Sequence, residues 1–349
     1  MKKSLLALAV LGAFAGVASA QSSVTLYGTV DLSARYVKND GQIKRLSMAN
    51  SGINSSQLVF AGKEDLGGGL SAGFNLNSGI ATDTGNPGGG AQFWNRRSTV
   101  SLMGGFGEVR LGRDYTPTFW NNTIFDAFGT NGVGDSSHVG QLLAPTFVRA
   151  ANNIAYFLPS NIGGLYGQFT VAASEGAQSN PGRYIGGRIG FAAGPFDIAG
   201  AYGSQRLDLT VGQPAQKTYN IGGSYDLGVA KLMGYYVRDT LSYTGFDRKE
   251  DRFSLSGVIP VGQGEIHVGG ERSKLKNNIA ATSNTITQYA VGYVYNLSKR
   301  TALYSTYSRL SNGSASAAQV DGGGGSTVGP APTAGGKSSG LEFGLRHFF

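Results

Sequence analysis

Residues able to carry reaction chemistry are few in this chain. It has no cysteine and only three histidines, His138, His267 and His347, none at ligand spacing to another histidine. A metal centre needs its nitrogen or sulfur ligands clustered. Asp135, Ser137 and His138 place an acid, a hydroxyl and an imidazole within four residues. A nucleophilic triad holds such groups on a rigid scaffold, each orienting the next, which four consecutive loop residues do not provide. Gly336-Lys337-Ser338 resembles the end of a phosphate-binding loop, but the glycine required five positions earlier is Ala331, and no strand leads in. No catalytic residue, bound cofactor or metal is therefore expected. What stands out instead is GRDYTPTFWNNTIFDAFG, residues 112–129. It is too aromatic for a solvated loop and too broken for a strand. It also opens a connection of a length usually reserved for functional loops.

The elements around that stretch are extended. In VTLYGTVDLSARY, Val24, Leu26, Val30, Leu32 and Tyr36 share one parity, while Thr25, Thr29, Asp31, Ser33 and Arg35 share the other. Alternation over a dozen residues describes a strand about twice the usual length and long enough to cross a bilayer. The same pattern recurs in LSAGFNLN, LYGQFTVAAS, KTYNIGGSYD, DRFSLSGVIP and the C-terminal SGLEFGLRHFF. Helical stripes are scarce. Short turns at 64–70, 104–108, 159–164, 193–195, 226–228, 260–264 and 297–300 alternate with longer polar connections at about 37–54, 78–95, 114–151, 174–183, 203–217, 238–250, 272–284 and 310–339. Seven short turns and eight long loops join sixteen strands, the layout of an outer-membrane β-barrel. A soluble sandwich would also alternate, but with shorter strands and without the two-sided loop asymmetry. The expected fold is thus all-β: a closed antiparallel transmembrane barrel, with apolar parity toward lipid and polar parity toward a wet lumen.

The ends agree. MKKSLLALAVLGAFAGVASA, residues 1–20, has a basic start, a short apolar core and a small-residue Ala18-Ser19-Ala20 cleavage site, the organisation of a secretory signal peptide. The barrel then occupies 21–349. Formal net charge is +8 for the whole chain and falls to +6 when Lys2 and Lys3 leave with the leader. No run of Lys and Arg interleaved with aromatics is present, so nucleic acid is not an expected partner.

Several segments together resemble the trimeric general porins of Gram-negative β-proteobacteria: SSVTLYGTVD, FAGKEDLGGGL, NRRSTVSLMGGFGEVRLGRD, AYFLPSNIGGL, YNLSKRTALYSTYS and the terminal GLRHFF. The resemblance spans essentially the whole chain. It implies a homotrimer of sixteen-stranded barrels in the cell outer membrane, surrounded by lipid and lipopolysaccharide. It also implies a C-terminal strand, ending in Phe349, that is read by the outer-membrane assembly machinery. The third long loop, 114–151, would fold into each barrel and narrow it. The residues alone leave an external Ω-loop equally open. On the inward reading Tyr115, Phe119, Trp120, Phe125 and Phe128 face the wall, while Asp114, Asn121, Asn122 and Asp126 face water. Matched to the family, Arg97, Arg113 and Arg149 are the cations of the opposite wall. Arg97 has luminal parity with Thr99 and Ser101. Arg113 shares parity with Val109 and Leu111, and reaches the lumen only where the strand bulges or ends. Many relatives read SRLGFKG where this chain reads SQLVFAG, so Gln57 replaces a wall arginine, Ala61 replaces a lysine, and Lys63 is the nearest remaining cation. The implied function is passive diffusion of small hydrophilic solutes and ions, with a weak anion preference. A barrel enzyme built on Ser137, or an adhesin using the long loops, are the other classes considered.

Overall fold

The computed structural model describes residues 23–143, 147–174, 183–207, 215–243, 246–277, 283–321 and 329–349; residues 1–20, expected to be a signal peptide, lie outside them. The wall strands are β1 (Ser23–Asn39), β2 (Arg45–Asn50 continued by Gln57–Gly67), β3 (Leu70–Ala81), β4 (Arg97–Gly104), β5 (Gly107–Tyr115), β6 (Arg149–Phe157), β7 (Leu165–Ala172) and β8 (Tyr184–Ala193). They continue as β9 (Phe196–Arg206), β10 (Ala215–Asp226), β11 (Lys231–Tyr243), β12 (Phe246–Val261), β13 (Gly264–Asn277), β14 (Ser283–Asn296), β15 (Thr301–Asn312) and β16 (Lys337–Phe348). Each pairs antiparallel with its sequence neighbours. β1 closes on β16 from Thr29 opposite Phe348 to Asn39 opposite Ser338. Gly28 and Phe349 then exchange both backbone hydrogen bonds, each at 3.1 Å, so the C-terminal residue completes the seam. The result is the closed sixteen-stranded barrel expected from the alternation.

Parity sorts as the pattern requires. On β1, Asp31, Ser33 and Arg35 are buried inside, while Val24, Leu26 and Tyr36 are exposed outside. On β4, Thr99 and Ser101 are buried and Val100 and Leu102 exposed. Outside, Tyr202 pairs with Tyr219 (ring centroids 4.9 Å) and Phe196 with Tyr225 (4.6 Å), giving aromatic contacts at two heights on β9 and β10. Such rings suit the two membrane–water interfaces.

The seven short turns fall where the sequence places them, but several long connections are partly strand. Residues 37–54 contain the end of β1 and the first half of β2, and 238–250 is nearly all β11 and β12. The reason is chemical. Toward the long-loop rim both parities become polar, as in Arg238, Asp239 and Thr240 facing Asp251, Glu250 and Lys249. The hydropathic alternation that marks lipid-facing strand is lost there, while the backbone ladder continues above the membrane.

One interruption shapes the interior. Between the halves of β2, residues 51–56 leave the wall, and the Asp31 carboxylate accepts the Gly52, Ile53 and Asn54 N–H groups at 3.1, 3.0 and 2.7 Å, together with the Tyr304 hydroxyl. Three backbone donors that lost their ladder partners are thereby satisfied.

Ile221 lies outside between the two aromatic pairs, on β10. Ile221→Arg puts a charge against lipid and should cost about 2–4 kcal/mol, measured by denaturant unfolding in lipid vesicles; a cost below about 0.5 kcal/mol would place this face in water.

Candidate functional site

The long connection after β5 turns into the barrel. Thr116 is extended, as a residue before proline must be, and Pro117 opens α1 (Pro117–Ile124), where its missing N–H costs nothing. Positive φ at Gly129, Thr130 and Gly132 then reverses the chain, and two short helical turns follow at Gly132–Gly134 and Ser136–Val139. Within the lumen the loop buries its apolar side chains on the wall. Phe125 packs with Ala199, Tyr235 and Val237, directly over Gly222, where any Cβ would meet its ring at 2.4 Å. Phe128 packs with Met233 and Ala290, and Val133 and Val139 with Ile286, Leu310 and Val320.

Polar groups stitch the same face. Asn121 donates to the Ala199 carbonyl (3.1 Å) and the Asn220 side chain (2.8 Å), and accepts from Arg188 at 2.5 Å. The Glu250 carboxylate accepts the Gln141 and Leu142 N–H groups, the latter at 2.7 Å. Glu342 accepts from Val133 at 3.2 Å. Gly132 approaches the β2 interruption so closely that a Cβ would fall 2.1 Å from the Gly52 carbonyl oxygen. The loop is therefore held on the β8–β16 side, and the open passage is left on the β2–β6 side.

That passage is a cavity of about 530 Å³ between loop and wall. Thr123, Gly129, Thr130, Asn131 and Ser137 face it from the loop; Asn54, Ser55, Gln57, Arg96, Tyr115 and Arg149 face it from the wall. Ser55 donates to the Asn131 side-chain oxygen Oδ1 at 2.9 Å, joining loop tip to the segment that Asp31 holds. Arg96 donates to Gln57 (3.0 Å) and to the Tyr115 hydroxyl (3.1 Å). Arg149 donates to the same hydroxyl at 2.9 Å, with its guanidinium 4.4 Å from the Tyr115 ring centre. Two guanidiniums thus share one phenol as their hub. The acid on the lining, Asp135, is buried, its carboxylate capping the Ser137 N–H at 2.7 Å.

The sequence-derived candidates separate on this geometry. Gln57 and Arg149 line the cavity. Arg97 has the expected inward parity but sits 3.6 Å from Asp114, which Arg110 also engages at 2.5 Å. Asp114 is buried in that cluster and does not face open water. The ladder does slip beside Arg113, between Gly112 and Asp114, yet the Arg113 guanidinium turns to the Asn95 carbonyl at 2.7 Å. Lys63 shares Gln57's parity but lies six residues further along β2, near the short-turn end with Asp65, Gly69 and Ser71. Asp126, expected toward water, is buried; it accepts the Phe128 N–H at 2.9 Å and the Ser136 hydroxyl at 2.7 Å. Asn121 and Asn122 are buried too. Of the aromatics, Phe125 and Phe128 face the wall, whereas Tyr115 and Phe119 stand at the cavity, stacked at 5.2 Å. Sequence reasoning missed Arg96, one residue before its strand, where parity has nothing to say. Asp135, Ser137 and His138 do not form a triad: both His138 ring nitrogens are buried with no hydrogen-bond partner among the described residues, and burial lowers the imidazole's pKa so that it stays neutral.

The profile of Gram-negative porins matches residues 7–315. Outer membrane porin protein 32 of Delftia acidovorans is 39% identical across 100% of both chains. An outer membrane porin protein of Bordetella pertussis is 29% identical over 89% of this chain and 95% of its own. The solved anion-selective porin from Comamonas acidovorans superposes with a TM-score of 0.83 at 36% identity, covering 94% of this chain and 100% of its own.

Burial raises the Asp126 pKa from 3.8 to about 6, against the lowering effect of its Phe128 and Ser136 hydrogen bonds. The docked loop therefore holds this proton more tightly than an undocked one would. Docking is strongest below about pH 4, weakens as pH rises through about 6, and is flat above, a change on the order of 2–3 kcal/mol. Hydrogen exchange of residues 126–136 should quicken across that window, and Asp126→Asn should flatten the response; identical pH profiles for both proteins would contradict the assignment.

Proposed function

The chain belongs to the Gram-negative porin family, and on that premise we infer that its 530 Å³ constriction selects among small hydrophilic solutes by size and favours anions. The chain is an outer-membrane channel for passive diffusion, not an enzyme. The observation that carries the selectivity reading is the asymmetry of the lining. Arg96 and Arg149 approach the passage from one wall, and the loop opposite offers Thr123, Thr130, Asn131 and Ser137. The inward-facing acids Asp114 and Asp126 are already engaged elsewhere. Two fixed cations on one wall lower the energy of an anion in the passage and raise that of a cation, and the acid on the lining, Asp135, is buried with its carboxylate turned to the Ser137 N–H. Gln57 in place of an arginine reduces the charge of that wall, so the preference is weak. Arg97 belongs to a cluster compensated by Glu108 and Asp114 and contributes less to the passage.

We extend the reading to assembly and surroundings. Ile43, Leu46 and Met48 are strongly exposed on the β1–β2 hairpin at the long-loop rim, where β11–β13 present charges instead. Apolar rim side chains favour cover by protein, and the homotrimer implied by the sequence supplies it. Residues 1–20 are read as the cleaved export leader. The strand ending in Phe349 is read as the mark for the assembly machinery, and lipopolysaccharide as the surrounding outer leaflet.

In planar bilayers under a KCl gradient, the reversal potential should indicate anion preference. Arg96→Glu with Arg149→Glu should lower the anion-to-cation permeability ratio severalfold, to roughly one or below, while Lys63→Gln changes it little. Clear cation selectivity of the unsubstituted channel would overturn the reading.

A further inference from the structure

We propose that the wall behind the constriction loop holds a calcium ion on Ser254 of β12, Glu271 of β13 and Gln288 of β14. The register sets these three side by side: Glu271 stands opposite Ser254 on one flank and opposite Gln288 on the other. All three point into the barrel and are 7%, 2% and 0% exposed. Neighbouring strands are about 5 Å apart, so side chains of this length converge in front of the middle strand.

The row carries four oxygens with no hydrogen-bond partner among the described residues: Ser254 Oγ, both Glu271 carboxylate oxygens and Gln288 Oε1. A buried acceptor without a donor bears its full desolvation cost, and a carboxylate bears the most. Gln288 cannot flip to offer its amide nitrogen instead. Its Nε2 already donates to the Val133 and Asp135 carbonyls at 3.4 and 3.1 Å, which leaves the oxygen as the unused end.

The surrounding charge has one sign. The charged groups that act on Glu271 are Asp126 and Asp135 of the loop, both buried. Arg252, one inward position further along β12, is committed to Asp239 at 2.7 Å. His138, beside Asp135, is held neutral by burial. The Tyr235 hydroxyl donates to Ser136 at 2.6 Å. Asp126 and Asp135 have donors of their own, Phe128 and Ser136 for the first and Ser137 for the second, so they supply negative field rather than ligands. Three carboxylates without a facing cation repel one another, and a bound cation removes that repulsion.

The donor set selects the ion. Carboxylate, hydroxyl and amide oxygens suit a hard cation. Ca²⁺ accepts a bidentate carboxylate and a flexible geometry, whereas Mg²⁺ keeps its waters and demands a near-ideal octahedron. One coordinating carboxylate and two neutral oxygens place the affinity with weak extracellular calcium modules, at about 0.1–1 mM. The ion ties residues 126–136 to the wall. Its ligands come from three strands and form no motif, so spacing in the sequence gives no sign of them.

Hydrogen exchange of the folded, detergent-purified protein near neutral pH tests this, with excess Ca²⁺, excess Mg²⁺ or chelator. Ca²⁺ should slow exchange of residues 126–136 roughly tenfold relative to chelator, and Mg²⁺ much less. Equilibrium dialysis against Ca²⁺ should find a site that Glu271→Gln weakens about tenfold or more and Ser254→Ala severalfold. Glu64→Gln, at an exposed acid on β2, should leave it intact. Identical exchange in Ca²⁺ and chelator overturns the proposal and needs no variant to fold; equal slowing by Mg²⁺ overturns the assignment to calcium. Calcium binding unchanged by Glu271→Gln is adventitious binding to other acids only and also overturns it. Bilayer conductance keeps the readings apart: an anion-preferring channel whose loop ignores Ca²⁺ loses only this proposal.

Discussion

A backbone N–H or C=O facing lipid has no water to fall back on, and everything in this molecule follows from satisfying that row of groups without a free edge. The seam between β1 and β16 does so, down to the paired backbone bonds of Gly28 and Phe349. Closing the sheet removes the last edge but creates an interior too wide for its own side chains to fill. The polar parity that lines it can be satisfied by water, and a water-filled tube is the default outcome. The residues after β5 determine how wide a tube remains.

Those residues solve an opposing problem. A loop entering a wet lumen must gain enough contact to offset its ordering entropy. It does so with Phe125, Phe128, Val133 and Val139 against apolar spots of an otherwise polar wall, and with backbone donors aimed at Glu250 and Glu342. Gly222 in the wall and Gly132 in the loop allow approach that any side chain would prevent. Because the loop takes one side of the barrel, the passage is pushed to the other. There the shelf held by Asp31 and the pair Arg96 and Arg149 set its chemistry. Arg35 is compensated by Asp321 and Glu342 and Arg252 by Asp239, whereas at the constriction Arg96 and Arg149 meet the neutral Gln57 and Tyr115.

The fold was readable because a lipid-facing strand must alternate: the sixteen strands and the seven short turns follow from parity and turn residues. The inward course of the third long loop did not follow from them, and came from the family resemblance. Strand ends at the outer rim were not readable, since Arg238, Lys249 and Asp251 stand above the apolar band and no longer alternate in polarity. The site was half readable. Arg149 and Gln57, named from the family's pattern, line the cavity. Asp126 was misplaced because a polar residue in a loop looks solvated until the Ser136 hydroxyl and Phe128 N–H are seen to enclose it. Arg96 escaped because it precedes its strand, and Asn54 and Ser55 because only the carboxylate of Asp31, some twenty residues earlier in sequence, explains why they leave the wall.

The central claim is that residues 123–137 form the narrowest wet passage of the barrel. The chain has no cysteine, so Thr130→Cys gives a single thiol at the cavity. Single-channel current recorded while a membrane-impermeant, anionic thiol reagent is added tests the claim most directly. The account predicts stepwise loss of most of the current and a shift of the remainder toward cations. Quantitative labelling with unchanged conductance would place the loop outside the conducting path.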